Sequence, residues 1–227
     1  MDNFLSLLQF SDGLFPAGAY AHSFGLEQLV QSGQISNALG VEIFLLTLLE
    51  SSVAPTDAVA MTCAGRAARV QDLSACFALD EMLEAMKTAS ELREGSRQMG
   101  RQTLRVASHL RRDGMLTDFS EAIKKDATPG HHAVIFGMIG GLMAWPPEET
   151  AGAYLYSTSA ALVGAALRLM PVGQLAGQRI LWNAQPVIAQ LATEVQDKTQ
   201  SDMWSFAPAL EIASMRHARL DARLFRS

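Results

Sequence analysis

The feature that most constrains the fold is a continuous apolar run, Ala133–Trp145. The run has 13 residues, no charged side chain and three glycines. A helix that spans a bilayer needs about 20 apolar residues, so this run is too short to cross a membrane. An apolar helix of this length is instead typical of the core of a globular protein. The run therefore predicts a buried central helix.

The remaining sequence shows helical spacing of apolar residues between helix start and stop signals. No stretch of useful length alternates apolar and polar residues as a strand would, and no repeat of 20–50 residues is visible. We therefore expect an all-α fold, a single-domain bundle of about eight to ten helices spanning residues 1–227. The basic C-terminal tail, from about residue 199, is expected to be loosely attached and ordered by a partner.

Single residues predict several helix ends. Ser23 and Ser36 are expected to be N-caps, and Pro55 is expected to end a helix. Asp118 is expected to begin a short helix after the long charged one. Pro186 is expected to kink or break the last long helix.

Composition and charge indicate the class of partner. Hydrophobic residues make up 49% of the chain and charged residues only 18%, which is a low charged fraction for a soluble surface. An all-helical protein of this composition either buries some helices completely or covers apolar surface in a complex or an oligomer. Residues 1–90 hold three basic and ten acidic side chains, whereas residues 91–227 hold fifteen and thirteen. This distribution disfavours nucleic-acid binding and permits a protein partner. A signal peptide and a cysteine framework are not evident, which favours a cytoplasmic protein that is not membrane-bound.

The stretch Leu7–Glu27 concentrates glycine, proline and aromatic residues. The polar side chains of Tyr20, His22 and Ser23 lie among these aromatic residues. An ordered loop of mixed polar and aromatic residues is a common place for function. Three further loop residues are expected to set the backbone geometry: Pro16, Gly18 and Gly25.

Two basic features could contact a partner. Arg97 and Arg101 belong to a stripe of arginines that recurs every four residues from Arg93 to Arg105. This stripe predicts either a solvated helix face or a docking surface for an acidic partner. The tail Met215–Ser227 interleaves basic and apolar residues, which is typical of a segment that docks on another surface.

The patterns of known active sites and metal sites are missing. The sequence has no phosphate-binding loop, no His-Glu-x-x-His motif and no Gly-x-Ser-x-Gly motif. The adjacent pair His131-His132 points in two directions on a helix, which favours structural roles over joint metal ligation. We therefore predict no catalytic residue, no metal ligand set and no cofactor.

Several blocks in the same order along the chain resemble the UreF family of urease accessory proteins. These blocks are Pro16–Glu27, Glu91–Gly100, His132–Gly137, Tyr154–Tyr156, Arg168–Gln178, Glu211–His217 and Arg223–Ser227. The resemblance implies an all-α, dimeric, non-catalytic protein that assists nickel insertion into apo-urease. It further implies binding to a UreD/UreH-type accessory protein and to the nickel-carrying UreG GTPase, whose activity it would modulate.

The matching blocks also suggest which residues contact those partners. The candidates are Tyr20, His22, Ser23, Arg216, His217, Arg223 and Arg226, together with Arg97 and Arg101 of the arginine stripe. Two other functions stay open at this point. One is a helical enzyme that uses Tyr20 and His22 as an acid–base site, and the other is a nickel-storage protein.

Overall fold

A computed structural model of the protein describes residues 3–226. Within these residues the fold is all-α and a single domain, as predicted, and no strand occurs. The helices are α1 (Asn3–Ser11), α2 (Leu26–Gln31), α3 (Ala38–Leu48), α4 (Val59–Arg69), α5 (Leu73–Met86), α6 (Ser90–Leu110), α7 (Gly114–Lys124), α8 (His132–Leu142), α9 (Pro147–Leu169), α10 (Gln174–Val195) and α11 (Pro208–His217). A π-helical segment, Leu49–Ala58, joins α3 to α4.

Helix α8 is the buried central helix that the apolar run predicted. Its residues 133–141 are all buried. At Gly137 an added Cβ would collide with the carbonyl oxygen of Met61, and at Gly141 it would collide with that of Gly65. The two glycines therefore allow the backbones of α8 and α4 to touch.

Pro55 does not end a helix, so that prediction is wrong. The chain stays helical from α3 through the π-helical segment into α4. Proline lacks an N–H and so cannot donate a hydrogen bond within the π-helical segment. The Phe206 N–H donates to the Ser51 carbonyl oxygen at 3.0 Å, and the Trp204 N–H donates to the Pro55 carbonyl oxygen at 3.2 Å. A distant part of the chain thus supplies hydrogen bonds to carbonyl groups on both sides of the interruption.

The continuous helix Ala38–Arg69 has 32 residues and a mean hydropathy of 1.5 in its most apolar window. By length and composition alone it could cross a membrane, although buried helices of soluble proteins pass the same test. In the fold it packs against α5, α8 and α10. Its most apolar window is 44% buried in the fold, and a single helix of this kind is weak evidence for a membrane span.

Two N-caps differ from the prediction. Gly25, with a φ of 84°, caps α2 in place of Ser23. The Ser23 hydroxyl still accepts a hydrogen bond from the Glu27 N–H at 3.4 Å. Asn37 caps α3 in place of Ser36, because its side-chain oxygen reaches an amide of the first helical turn at 2.9 Å.

The polar helix α7 begins earlier than Asp118. Asp113 is its N-cap and accepts a hydrogen bond from the Met115 N–H at 3.0 Å. Helix α10 runs past Pro186 without a break. Pro186 and Trp182, four residues earlier, are both exposed, so water can satisfy the carbonyl that the proline leaves unpaired.

The C-terminal tail is packed against the domain, which contradicts the expected loose attachment for the described residues up to Arg226. His217 and Phe225 are 0% and 3% exposed. The tail reaches α2, α6 and the opening loop through hydrogen bonds from its backbone and side chains. Burial of these two side chains stabilises the tail in this position.

Candidate functional site

The opening loop between α1 and α2 is shaped by glycines. Gly18 and Gly25 have φ values of 89° and 84°, in the left-handed region that strains other residues. Gly25 is also crowded, because an added Cβ would lie 2.9 Å from the backbone nitrogen of Ser214 on α11. Pro16 is exposed in the turn that precedes Gly18. The loop geometry therefore permits close contact between the loop and the tail helix.

The three polar loop residues lie in different environments. Tyr20 is 69% exposed, and its backbone carbonyl accepts a hydrogen bond from Arg168. His22 and Ser23 are buried, and the ring of His22 packs against Gly95 of α6. Burial, helped by the charge of Arg226, lowers the pKa of His22 to about 4. His22 is therefore a neutral packing residue at neutral pH, whereas Tyr20 presents its ring to solvent.

A buried carboxylate, Glu27 on α2, holds the tail in place. It accepts hydrogen bonds from His217 Nε2 at 2.8 Å and from the backbone N–H groups of Leu224 at 2.7 Å and Phe225 at 3.0 Å. Burial raises the pKa of Glu27, but these hydrogen bonds outweigh it and leave the pKa below its ordinary value. A single carboxylate thus binds three donors of the tail.

His217 extends this contact to α6. Its Nδ1 lies 2.7 Å from Glu91 Oε2, and its Nε2 lies 2.8 Å from Glu27 Oε2. Arg223 donates to the other Glu91 oxygen at 2.9 Å. We call Glu27, Glu91, His217 and Arg223 the tail clamp. Because carboxylates only accept, both ring nitrogens of His217 are placed to donate.

The end of the tail also contacts the opening loop. The Arg226 N–H donates to the carbonyl oxygen of Ala21 at 2.8 Å. The guanidinium carbon of Arg168 lies 4.3 Å above the centre of the Phe225 ring, a cation–π contact. Since Arg168 also binds the carbonyl of Tyr20, it joins the loop, α9 and the tail. Tail and loop therefore form one continuous surface.

A cavity of about 380 Å³ lies beneath the loop. The π-helical segment places Asp57 there, and Asp57 Oδ2 lies 2.8 Å from Lys87 Nζ. His132 and Tyr154 also line the cavity, with their ring centres 5.5 Å apart. Burial lowers the pKa of His132 to about 4 and raises that of Tyr154. The loop thus covers a partly polar cavity in addition to presenting Tyr20.

The two arginines of the predicted basic stripe have unequal surroundings. Arg97 is only partly exposed and binds Glu84 of α5, with its Nε 2.8 Å from Oε2, and Glu94 at 2.8 Å. Arg101 is exposed and donates to the carbonyl of Pro129 at 3.1 Å. The stripe is therefore not a uniform solvated face. Arg97 is largely engaged within the domain.

A second buried cluster surrounds His131. Its Nε2 lies 3.0 Å from Glu84 and its Nδ1 lies 3.0 Å from the Ser96 hydroxyl. Burial is the main cause that lowers the pKa of His131 to about 4. Its backbone N–H donates to Asp80 at 2.7 Å. His131 and His132 thus have separate structural neighbours, and no group of three or more metal-ligand side chains comes together in residues 3–226.

Comparisons with known proteins cover the whole chain. A family model for UreF matches residues 35–185. The chain is 33% identical to the urease accessory protein UreF of Bacillus sp. strain TB-90 and 36% identical to that of Lachnoclostridium phytofermentans, over the full length of both chains in each case. The chain belongs to the UreF family. It is also 33% identical to urease accessory protein UreF 2 of Brucella canis, over 97% of this chain and 90% of the relative.

The tail clamp brings together residues from four of the blocks that resemble UreF sequences. Glu27 ends the first block and Glu91 begins the second, while His217 ends the penultimate block. Sequence reasoning named His217 and Arg223 but missed Glu27, Glu91 and Arg168. All three are charged residues inside blocks that resemble UreF sequences. A charged side chain that becomes buried requires a partner of opposite charge or a hydrogen-bonding group, so these residues could have been considered as contacts of the tail.

Proposed function

We propose that this UreF-family chain is a non-catalytic scaffold in urease maturation. It bridges a UreD/UreH-type accessory protein and the nickel-carrying UreG GTPase, modulates that GTPase, and acts with both on apo-urease. It works as a homodimer in the cytoplasm and carries no resident cofactor. The observation that carries this proposal is the full-length similarity to proteins named urease accessory protein UreF.

The partner surface in this proposal is the composite of loop and tail. The clamp residues hold the tail against α2 and α6. The backbone N–H of Arg226 donates to the carbonyl oxygen of Ala21, the residue after exposed Tyr20, and Arg216 is exposed on α11. His22, Ser23 and His217 are buried and shape this surface from beneath. Tyr20, Arg216 and Arg226 are therefore the residues that we expect a partner to touch.

Copurification tests the bridging function. The chain, purified with the UreD-type protein and UreG of the same organism, should recover both partners, and the amount of UreG should depend on added nucleotide. Tyr20→Ala should reduce recovery by about tenfold or more, since an exposed aromatic side chain is a common interface anchor. Its melting temperature should stay unchanged, because Tyr20 is 69% exposed.

The matched control is Tyr156→Ala, which removes an exposed tyrosine of α9 and should leave recovery unchanged. Recovery of neither partner by the unmodified chain would refute the scaffold. Equilibrium dialysis against nickel separates the scaffold from a nickel store. Tight stoichiometric binding by the isolated chain would favour storage.

A further inference from the structure

The cavity beneath the opening loop has no part in the proposed scaffold function. Its volume of about 380 Å³ lies in the range of sites that bind small molecules. Three phenyl rings line it, those of Phe10, Phe15 and Phe24, together with Leu92 and Met99 of α6. Aromatic walls of this kind favour a ligand with a flat apolar body.

The π-helical segment supplies polar residues to the lining. Its residues Ser52 and Asp57 both line the cavity. π-helical turns are rare and occur frequently at functional sites. The side chains of Asp57 and its partner Lys87 are 8% and 15% exposed, so their ion pair is largely buried beside the cavity. A buried ion pair adds little to stability on balance, so its place in the lining favours a binding role.

Two further side chains in the lining have hydrogen-bonding groups that the fold does not use. Tyr154 is 5% exposed, and its hydroxyl forms no hydrogen bond with any group in residues 3–226. The ring nitrogens of His132 form none within the same part of the chain, and the two ring centres lie 5.5 Å apart. Buried polar groups normally have a partner, so these groups are available to a bound molecule.

The charges of the lining balance. Two acidic and two basic side chains line the cavity: Asp12, Asp57, Lys87 and Arg168. Asp57 and Lys87 already neutralise each other, Arg168 binds the carbonyl of Tyr20, and Asp12 is exposed to water. His132 is uncharged at neutral pH, because burial lowers its pKa to about 4. A charged ligand would lose its water without gaining a counter-charge, whereas a neutral ligand would not.

We propose that this cavity binds a small neutral molecule with an aromatic body and a carboxamide-like polar group. The phenyl rings bury the body. The amide N–H donates to the acceptor nitrogen of His132, and the carbonyl oxygen accepts from the Tyr154 hydroxyl, since neutral imidazole and phenol each offer such groups. This binding site is separate from the scaffold function and does not depend on it.

Three matched probes test the class of ligand. Phenylacetamide, phenylacetate and phenethylammonium share an aromatic body and differ in the charge of the polar group. Titrations followed by saturation-transfer NMR with the full-length chain give the three dissociation constants. At pH 7 phenylacetamide should bind about tenfold more tightly than either ion, with a dissociation constant on the order of 1 mM for a ligand of this size.

A hydroxyl deletion locates the site. Tyr154→Phe keeps the ring and should weaken phenylacetamide about fivefold, the loss of one hydrogen bond. The melting temperature of the free chain should not fall, because the hydroxyl has no partner in residues 3–226. The matched control is Tyr156→Phe, at a 42% exposed tyrosine of the same helix that does not line the cavity, and it should leave binding unchanged.

Two charge variants test the neutrality of the lining. Asp57→Asn leaves Lys87 without its counter-charge and should tighten phenylacetate about tenfold. Lys87→Met leaves the Asp57 carboxylate unpaired and should tighten phenethylammonium instead. The opposite directions of these shifts separate a change of charge in the lining from general damage to the fold.

Equal affinity for the three probes would overturn the proposal, as would equal weakening by Tyr154→Phe and Tyr156→Phe. No binding of phenylacetamide up to its solubility limit would mean that the cavity holds water only. If either charge variant fails to fold, the comparison of the two tyrosine variants still decides. These measurements use no urease and no accessory protein, so their failure leaves the copurification result intact.

Discussion

Two buried histidines show how the same side-chain chemistry serves different purposes in this molecule. His131 and His217 are both 0% exposed, and each faces a glutamate. His131 has one carboxylate and one hydroxyl as neighbours, from α5 and α6. His217 lies between two carboxylates, from α2 and α6.

The difference lies in which parts of the chain each histidine joins. The His131 cluster connects helices that pack around α8 and includes Asp80, a fully buried acceptor of three hydrogen bonds. The tail clamp instead connects a terminal segment to the surface of the domain. Proteins open locally in units of different stability. We therefore expect damage at the His131 cluster to unfold the domain, and damage at the clamp to release the tail.

The largest effect is expected at Asp80. It accepts hydrogen bonds from the Thr128 hydroxyl at 2.6 Å and from the backbone N–H groups of Gly130 and His131 at 2.6 and 2.7 Å. Asp80→Ala would leave these donors buried without an acceptor. The free energy of unfolding should fall by roughly 3 kcal/mol or more, measured by urea denaturation.

Asp72→Ala is the matched control for Asp80. Asp72 caps α5 at an exposed position, where its carboxylate accepts from Ala75 N at 3.0 Å. Loss of an exposed cap should lower the free energy of unfolding much less than loss of the buried Asp80 acceptor does. Equal losses in the two variants would contradict the claim that the His131 cluster belongs to the cooperative core.

A smaller and local effect is expected at the clamp. His217→Ala removes the donors to Glu27 and Glu91, and should lower the free energy of unfolding by about 2 kcal/mol. Hydrogen exchange should accelerate in residues 218–226 while α8 keeps its protection. Arg216→Ala, at the exposed neighbouring position, should change stability by less than about 0.5 kcal/mol. A uniform loss of protection across the domain would place the clamp in the same unit as the core.

The sequence predicted the all-α fold because helical periodicity and the apolar run are local properties. It also predicted the central helix, for which the glycine-rich run of α8 is sufficient evidence. Helix ends were displaced where a neighbouring residue made the better cap, as Asn37 did for Ser36. Which of two neighbouring polar residues caps a helix depends on small differences in backbone geometry, and the spacing of residues in the sequence does not indicate these differences.

The errors of greater consequence involve partners that are distant in sequence. The hydrogen bonds that let the helix continue through Pro55 come from Trp204 and Phe206. The tail was expected to be loosely attached because its interleaved basic and apolar residues suggested docking on a partner, whereas its anchor, Glu27, lies almost a full chain length away in the same chain. Arginine spacing likewise gave no sign of the Glu84 carboxylate that binds Arg97.

Acid distinguishes the two histidine clusters, because their titratable groups respond in different pH ranges. His131 has an ordinary pKa of 6.5 and a pKa of about 4 in the fold, so the unfolded chain binds the extra proton between these values. As pH falls from 6.5 to 4, this histidine should lower the free energy of unfolding by up to about 1.4 kcal/mol per pH unit. The pKa of Glu27 is instead depressed below 4.5, so its stabilising hydrogen bonds are lost only as pH falls further, through that lowered value.

Urea denaturation between pH 7 and pH 5 measures how the free energy of unfolding changes with pH, and His131 contributes to the slope of this dependence. His131→Gln carries no titrating group and should flatten the slope, whatever its effect on stability at pH 7. Some slope should persist, because the pKa values of His22 and His132 are also lowered to about 4. The free energy of opening of residues 218–226, measured by hydrogen exchange, should stay constant over this range, since Glu27 remains ionised. Release of the tail before the domain weakens would mean that the clamp, rather than the core, is the acid-sensitive region.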